Sequence, residues 1–499
     1  MKKIDQNQLF SSDKLAQDLA PKLFKGGIST MSAKVVQFIL STGGTVVLAR
    51  LLTPTDYGLF GMVMIIFSFA HMFMISGLSM ATIQKANISR AQISTLFWIN
   101  SGIGAFLGLC FITSSPFVAS FFGQPELKSV TAVLSLVFIF GSIKIQHEAL
   151  LRRHMQFGAL AIIIILSEII SLITTIILAL SGWRYWALVL GKVISTLSYT
   201  LLTFLFLPWI PGKIGRGTGV RSMLRFGGNL TIAGFTRYLT GNFDKLLIGK
   251  FLGADSLGIY GKAYRILLLP VSEIRMPMTN LAMPALSALK NEPNRYIKYF
   301  QRFLDILATI TIPITLYCAI EAEFIISLLL GHQWMAVVPV FRILAIAGII
   351  IPISQTQAIV LLSLGFDNKY LFYYIVNTLI TLIAISIGLL FGITGIAIAF
   401  VISNYLILIP SMVYCFHGTP ITIRLFLKTT IRPILTSCIS ACIIIIFKKV
   451  FHNDSFLFHI TLSILYLAVY MTASYIRKSI RETVKMFTTT FSLKSRSVP

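Results

Sequence analysis

The 499-residue chain is 56% hydrophobic and 12% charged, with 42 Lys and Arg against 17 Asp and Glu for a net charge of +25. Apolar runs near twenty residues fill it almost end to end, which excludes a water-soluble globule, because a bilayer core roughly 30 Å thick takes about 20 apolar residues per helix. The runs are continuous and do not alternate, which excludes a lipid-exposed β-barrel and leaves helices whose backbone groups pair internally.

The polar tail 1–27 comes first. Its Leu15, Leu19 and Leu23 recur at helical spacing beside Lys14, Lys22 and Lys25, which suits a short amphipathic helix on the cytoplasmic leaflet; a disordered tail fits as well. The first long apolar run begins near Ile28 and lacks an A-x-A site at its end, so no cleavable signal is expected. About fourteen transmembrane helices are predicted, near 28–49, 58–81, 93–115, 129–151, 158–180, 186–207, 227–249, 257–280, 303–322, 337–363, 371–391, 394–415, 431–449 and 457–476. The segment Phe324 to Trp334 is too short to span twice and reads as an interfacial turn.

With the N-terminus inside, the inner segments hold about 27 Lys and Arg against about six outside. The basic excess therefore reads as positive-inside bias rather than a nucleic-acid surface, and it puts both termini, including the basic tail 477–499, in the cytoplasm. Pro208, Trp209, Pro211 and Gly212, followed by Lys213, Arg216 and Arg221, mark 208–226 as a hinge-like cytoplasmic linker. The expected domains are an N-lobe at 28–207, a C-lobe at 227–415 and two further helices within 431–476.

An internal repeat supports that division. LARLLTPTDYGLFG at 48–61 aligns with the 247–261 stretch LIGKFLGADSLGIYG at an offset of 200, placing Arg50 on Lys250, Gly58 on Gly258 and Gly61 on Gly261. Each copy opens the second helix of its half. The even number of spans between them makes the halves parallel, related by an axis along the membrane normal.

A charge at mid-bilayer costs about 2.5–3.5 kcal/mol, so ionisable residues in spans normally face protein or water and mark function. The seventh span carries a polar stripe of Gly227, Thr231, Gly234, Arg237, Tyr238, Gly241, Asp244 and Lys245, and the first a matching one of Lys34, Gln37, Ser41, Gly44 and Thr45. Both stripes read as the lining of a central water-filled cavity; close packing through small residues is the competing reading. Lys262 and Arg265 stand one turn apart in the eighth span, Lys192 lies in the sixth, and Lys144 is expected to pair with Glu148 at i, i+4. The remaining cationic excess points to an anionic cargo contacted by Arg237, Lys262 and Arg265, with Lys245, Lys34, Gln37 and Lys192 as further lining. Glu168 and Asp244 are candidate ion-coupling sites, with salt-bridge duty as the alternative for Asp244 beside Lys245. His71 reads as a satisfied core histidine.

Enzyme chemistry finds no support. There is no phosphate-binding P-loop, H-E-x-x-H or G-x-S-x-G, and Glu321 and Glu323 sit at a membrane edge with no companion histidine. The five cysteines lie in or at the ends of apolar stretches as packing residues, and no metal set or cofactor is expected.

Four segments carry a family resemblance: LARLLTPTDYGLFGMV at 48–63 with ATIQKANIS at 81–89, the long LRFGGNLTIAGFTRYLTGNFDKLLIGKFLGADSLGIYGKAYRILLLP at 224–270, MPALSALKNEPNRY at 283–296, and LGHQWMAVVPVFRILAIAG at 330–348. The chain resembles the polysaccharide transporters of the multidrug/oligosaccharidyl-lipid/polysaccharide exporter superfamily, of the colanic acid exporter and O-antigen flippase type, over about 26–415. That resemblance implies two six-helix lobes around a V-shaped cavity plus two C-terminal helices. It also implies inner-membrane transfer of an undecaprenyl-diphosphate-linked oligosaccharide from cytoplasmic to outer leaflet by alternating access, beside polysaccharide polymerase and assembly proteins. The alternatives within the superfamily are a lipid II flippase or a drug/cation antiporter.

Overall fold

The computed structural model describes residues 19–74, 79, 82–83, 88–215, 238, 241–451 and 455–475. Among these, eleven helical stretches are long and apolar enough to cross a membrane, and the chain is a multi-pass helical membrane protein. One of the eleven, Asp367–Phe416, is two helices folded back on each other. The helix containing the expected eighth span is not among them, because Lys262, Arg265, Glu273 and Arg275 interrupt its apolar character.

The described residues divide into two compact units, Met1–Gly258 with Leu329–Gln333, and Ile259–Leu328 with Trp334–Pro499. The first contains α1 (Leu19–Leu51), α2 (Pro54–Met74), α3 (Arg90–Thr113), α4 (Ser115–Phe122), α5 (Leu127–Leu134), α6 (Leu136–Arg153), α7 (Phe157–Leu180) and α8 (Tyr185–Phe206). Helix α3 starts at a reciprocal capping box: Ser89 Oγ accepts from Gln92 N at 3.2 Å while Gln92 Oε1 accepts from Ser89 N at 3.0 Å. Two other helix starts share one buried carboxylate. Asp56 accepts from Thr53 N at 3.0 Å and Tyr185 N at 3.2 Å, so the openings of α2 and α8 both give N–H groups to a favourably placed negative charge.

The repeat folds onto itself inside this unit. A Cβ built on Gly58 would lie 1.7 Å from the Ala254 carbonyl oxygen, and one built on Gly258 would lie 1.9 Å from that of Pro54. The two contacts are the same contact with the copies exchanged at the offset of 200, and Thr55 Oγ1 donates to Asp255 Oδ1 at 3.3 Å beside them. Glycine at both positions is therefore a requirement of backbone approach. The described part of the linker is docked rather than loose. Trp209 is buried, its carbonyl meets His147 Nε2 at 2.9 Å, and Gly212 exchanges hydrogen bonds with Trp98 Nε1 and Ser94 Oγ, each at 2.9 Å.

The second unit contains most of α9 (Gly253–Ala288), α10 (Pro293–Ile320), α11 (Ala322–Leu329), α12 (Val337–Ser354), α13 (Thr356–Leu364), α14 (Asp367–Gly388), α15 (Gly392–Phe416), α16 (Ile423–Phe451) and α17 (Phe456–Tyr475). Helix α17 is zipped antiparallel to α10. Tyr470 Oη donates to Thr309 O at 2.7 Å, Tyr466 Oη to Pro313 O at 3.0 Å, and Tyr317 pairs with Ser463. Pro313 lacks the N–H that would bond the Thr309 carbonyl, so Tyr470 caps the acceptor that the proline leaves open. The zip ends in a charged cluster that corrects the reading of Glu321 as lacking a histidine: fully buried Glu321 accepts from His459 Nδ1 at 2.6 Å and Lys448 Nζ at 3.1 Å.

Candidate functional site

In the first unit the basic side chains converge on two small cavities that share one wall. One, of about 190 Å³, is lined by His71 of α2 and by Lys144, Glu148 and Arg152 of α6. The other, of about 160 Å³, is lined by Lys34 and Gln37 of α1, Arg152 again, and apolar residues of α7. Arg152 borders both. Two placements differ from the sequence reading. Glu148 makes its close ion pair with Arg152, at 2.7 Å to Nη2 and 3.1 Å to Nε, and acts on Lys144 only through space. An acid N-terminal to its base at i, i+4 is the better order along a helix, which is the signal the sequence offered. Lys144 instead sets its amine 3.4 Å from the centroid of the Tyr199 ring on α8, a cation–π geometry. His71, expected in the core, lines the first cavity and stacks on Phe67 with centroids 5.4 Å apart.

The other candidates are placed as follows. Lys34 and Gln37 are exposed and line the second cavity. Lys192 of α8 lies in electrostatic reach of Glu168 on α7, and it also acts on His71 and Lys144. Lys245 reaches Asn242 Oδ1 at 3.3 Å and Gly241 O at 3.4 Å on its own helix. Asp244 is buried, and its Oδ1 has no hydrogen-bond partner among the described residues. Arg237 and the stripe residues Gly227, Thr231 and Gly234 lie outside the described residues, as do Leu15 and Lys14 of the tail. In the second unit Lys262 is buried with its amine 5.4 Å from the Trp334 ring centroid, and exposed Arg265 stands one turn further along α9. The structure thus gathers Lys34, Gln37 and Lys192 around neighbours the sequence had not joined to them, namely His71, Lys144, Arg152 and Tyr199. Among the described residues no group of three His, Cys, Asp or Glu is placed to hold a metal ion.

The chain is similar to a solved lipid II flippase MurJ in an inward closed conformation, with a TM-score of 0.69 at 17% identity over 91% of this chain and 98% of that one. It is also similar to an inward-facing multidrug resistance MATE family transporter of the MOP superfamily, with a TM-score of 0.59 at 15% identity, covering 78% and 97%. The family model described as "Polysaccharide biosynthesis protein" matches residues 47–339, and the chain belongs to that family. Among curated relatives, the teichuronic acid biosynthesis protein TuaB of Bacillus subtilis (strain 168) is 28% identical over 340 residues, 68% of this chain and 70% of the relative. The lipopolysaccharide biosynthesis protein WzxC of Escherichia coli (strain K12) is 23% identical over 391 residues, 77% and 79%.

Proposed function

We propose that this protein moves a prenyl-diphosphate-linked oligosaccharide repeat unit, of the undecaprenyl class, across the cytoplasmic membrane by alternating access, for assembly of a surface polysaccharide. The observation that carries the reading is the pair of basic cavities around Arg152 in a chain of the polysaccharide biosynthesis family. Lys and Arg meet phosphate oxygens with charge-assisted hydrogen bonds, and a low-dielectric surround strengthens each of them. Within the first unit the basic residues Lys34, Lys144, Lys192 and Arg152 would attract the diphosphate head, with Arg237 and Lys245 as further candidates and Asp244 and Glu168 as candidates for ion coupling; in the second unit, taken by itself, Lys262 and Arg265 are candidates for contact with an anionic cargo. An apolar groove of about 430 Å³ between α10 and α17, lined by Pro313, Tyr317, Tyr466, Leu467 and Met471, suits a hydrocarbon chain. A basic lining disfavours a drug or cation cargo, whereas a lipid II flippase would present the same headgroup chemistry. Both termini are placed in the cytoplasm on the charge bias of the loops.

The test is reconstitution into liposomes carrying a prenyl-diphosphate oligosaccharide in the inner leaflet. Lectin added outside should bind it progressively when the protein is present. Exposure no faster than in protein-free liposomes refutes the reading, and equal rates for a lipid II analogue would favour the alternative.

A further inference from the structure

We infer that the exposed face of α16 binds an anionic phospholipid of the cytoplasmic leaflet, with its phosphate held by Arg424, Lys428 and Arg432 and its acyl chains lying over Leu435, Ile439 and Ile446. The ligand is a resident of the membrane rather than the cargo, so the site goes beyond the function proposed above and does not rest on it. The six residues belong to the second unit and line neither of the basic cavities nor the apolar groove.

Spacing puts the six on one strip. At 3.6 residues per turn they fall within about 80° of the helix circumference, and all six are exposed. The order along the strip is that of a phospholipid: three cations first, then apolar side chains. The cations sit where the helix itself does not want them. Leu425 N donates to Thr422 Oγ1 at 3.2 Å, so Arg424 lies in the first turn, where the macrodipole favours an acid and none is present. None of the three side chains makes an ion pair or hydrogen bond among the described residues. The elements packed on α16 supply no carboxylate to this face. The one acid within α10, Asp305, lines the groove shared with α17, Glu292 at its start is paired with Arg295, and α15 and α17 carry none. Depth adds a second constraint. On the charge bias of the loops Lys448, bonded to Glu321, lies at the outer end of α16. Arg432 precedes it by about 24 Å of helix, less than the bilayer core of roughly 30 Å, so its Cα starts about one turn inside the cytoplasmic boundary. Its guanidinium must turn back toward the headgroups, past Lys428 and toward Arg424, which brings three positive charges to one level. A lipid phosphate is the anion found at that level, and its oxygens suit the paired N–H groups of arginine. Positive-inside bias accounts for bases in cytoplasmic loops; it does not require an aligned row continuing onto a lipid-facing helix.

Native mass spectrometry of the purified full chain, from detergent micelles doped with equal amounts of phosphatidylglycerol and phosphatidylcholine, reads which lipid stays bound. The unaltered chain should retain phosphatidylglycerol over phosphatidylcholine by roughly tenfold. Arg424→Gln, Lys428→Gln and Arg432→Gln together should bring the ratio close to one, whereas Arg424→Lys with Arg432→Lys, which keeps the charge, should lower it only in part. A control set, Lys290→Gln, Arg295→Gln and Lys298→Gln, removes the same charge from an exposed segment of the same unit and should leave the ratio unchanged. If the triple variant is not recovered folded, Arg432→Gln alone gives the reading, as a severalfold drop in the ratio. No preference in the unaltered chain, a preference that survives the α16 changes, or an equal loss in the control set overturns the proposal. Farnesyl diphosphate displacing phosphatidylglycerol at equal concentration would assign the face to a prenyl-diphosphate cargo and overturn it as well. Absent lipid transfer with an intact phosphatidylglycerol preference would refute the flippase reading alone, and the opposite result this one alone.

Discussion

Glu321 offers the most direct measure of what ties α17 to α10. Its carboxylate is fully buried, 2.6 Å from His459 Nδ1 and 3.1 Å from Lys448 Nζ. In Glu321→Leu the two partners fare differently. The Lys448 side chain is 31% exposed and can return its amine to water, so its share is discounted to about 0–1 kcal/mol. His459 is 8% exposed and stacks on Phe324 at 4.3 Å, so its ring nitrogen stays buried without an acceptor, at about 1–3 kcal/mol. The expected loss is about 1–4 kcal/mol, read as a lower midpoint when the purified protein is unfolded by SDS in mixed micelles. Glu321→Gln keeps an acceptor for the ring and should lose less. The decisive quantity is the cycle of Glu321→Gln, His459→Gln and the double variant. Groups in one buried network should couple by about 1–3 kcal/mol, and additivity within about 0.5 kcal/mol would refute the claim that they act as a unit.

Three further outcomes follow from the geometry. Gly58→Ala and Gly258→Ala each drive a methyl carbon into a backbone carbonyl at under 2 Å, where about 3.3 Å is the usual approach; both should sharply lower the yield of monodisperse protein and to similar extents. A normal melting profile for either would contradict the crossing. Tyr470→Phe should cost about 1 kcal/mol, and less in a Pro313→Ala background where the restored N–H can bond Thr309 O; equal costs in both backgrounds would show that the tyrosine does not serve the proline. Arg152→Gln should slow lipid transfer in the liposome assay more than Arg295→Gln, a change to an exposed i, i+3 pair on α10; equal rates would remove Arg152 from the site.

The sequence by itself determined the class. A chain of long apolar runs in hydrocarbon must satisfy its backbone within each run, so helices and many spans follow from hydropathy alone. It also disclosed the repeat and the basic excess inside the spans, because both are written in residue identity and local spacing. What it left open was partnership. Glu148 has a base four residues away in each direction; the order along the helix leans toward Arg152, and the packing that lays Lys144 on Tyr199 of another helix completes the choice. Glu321 meets a histidine 138 residues away. No local pattern forecasts such a meeting, since the relative rotation of two helices is fixed by every side chain between them. Tertiary structure alone decided which charges are matched and which are left facing a cavity, and in a low-dielectric interior that distinction separates a structural ion pair from a binding site.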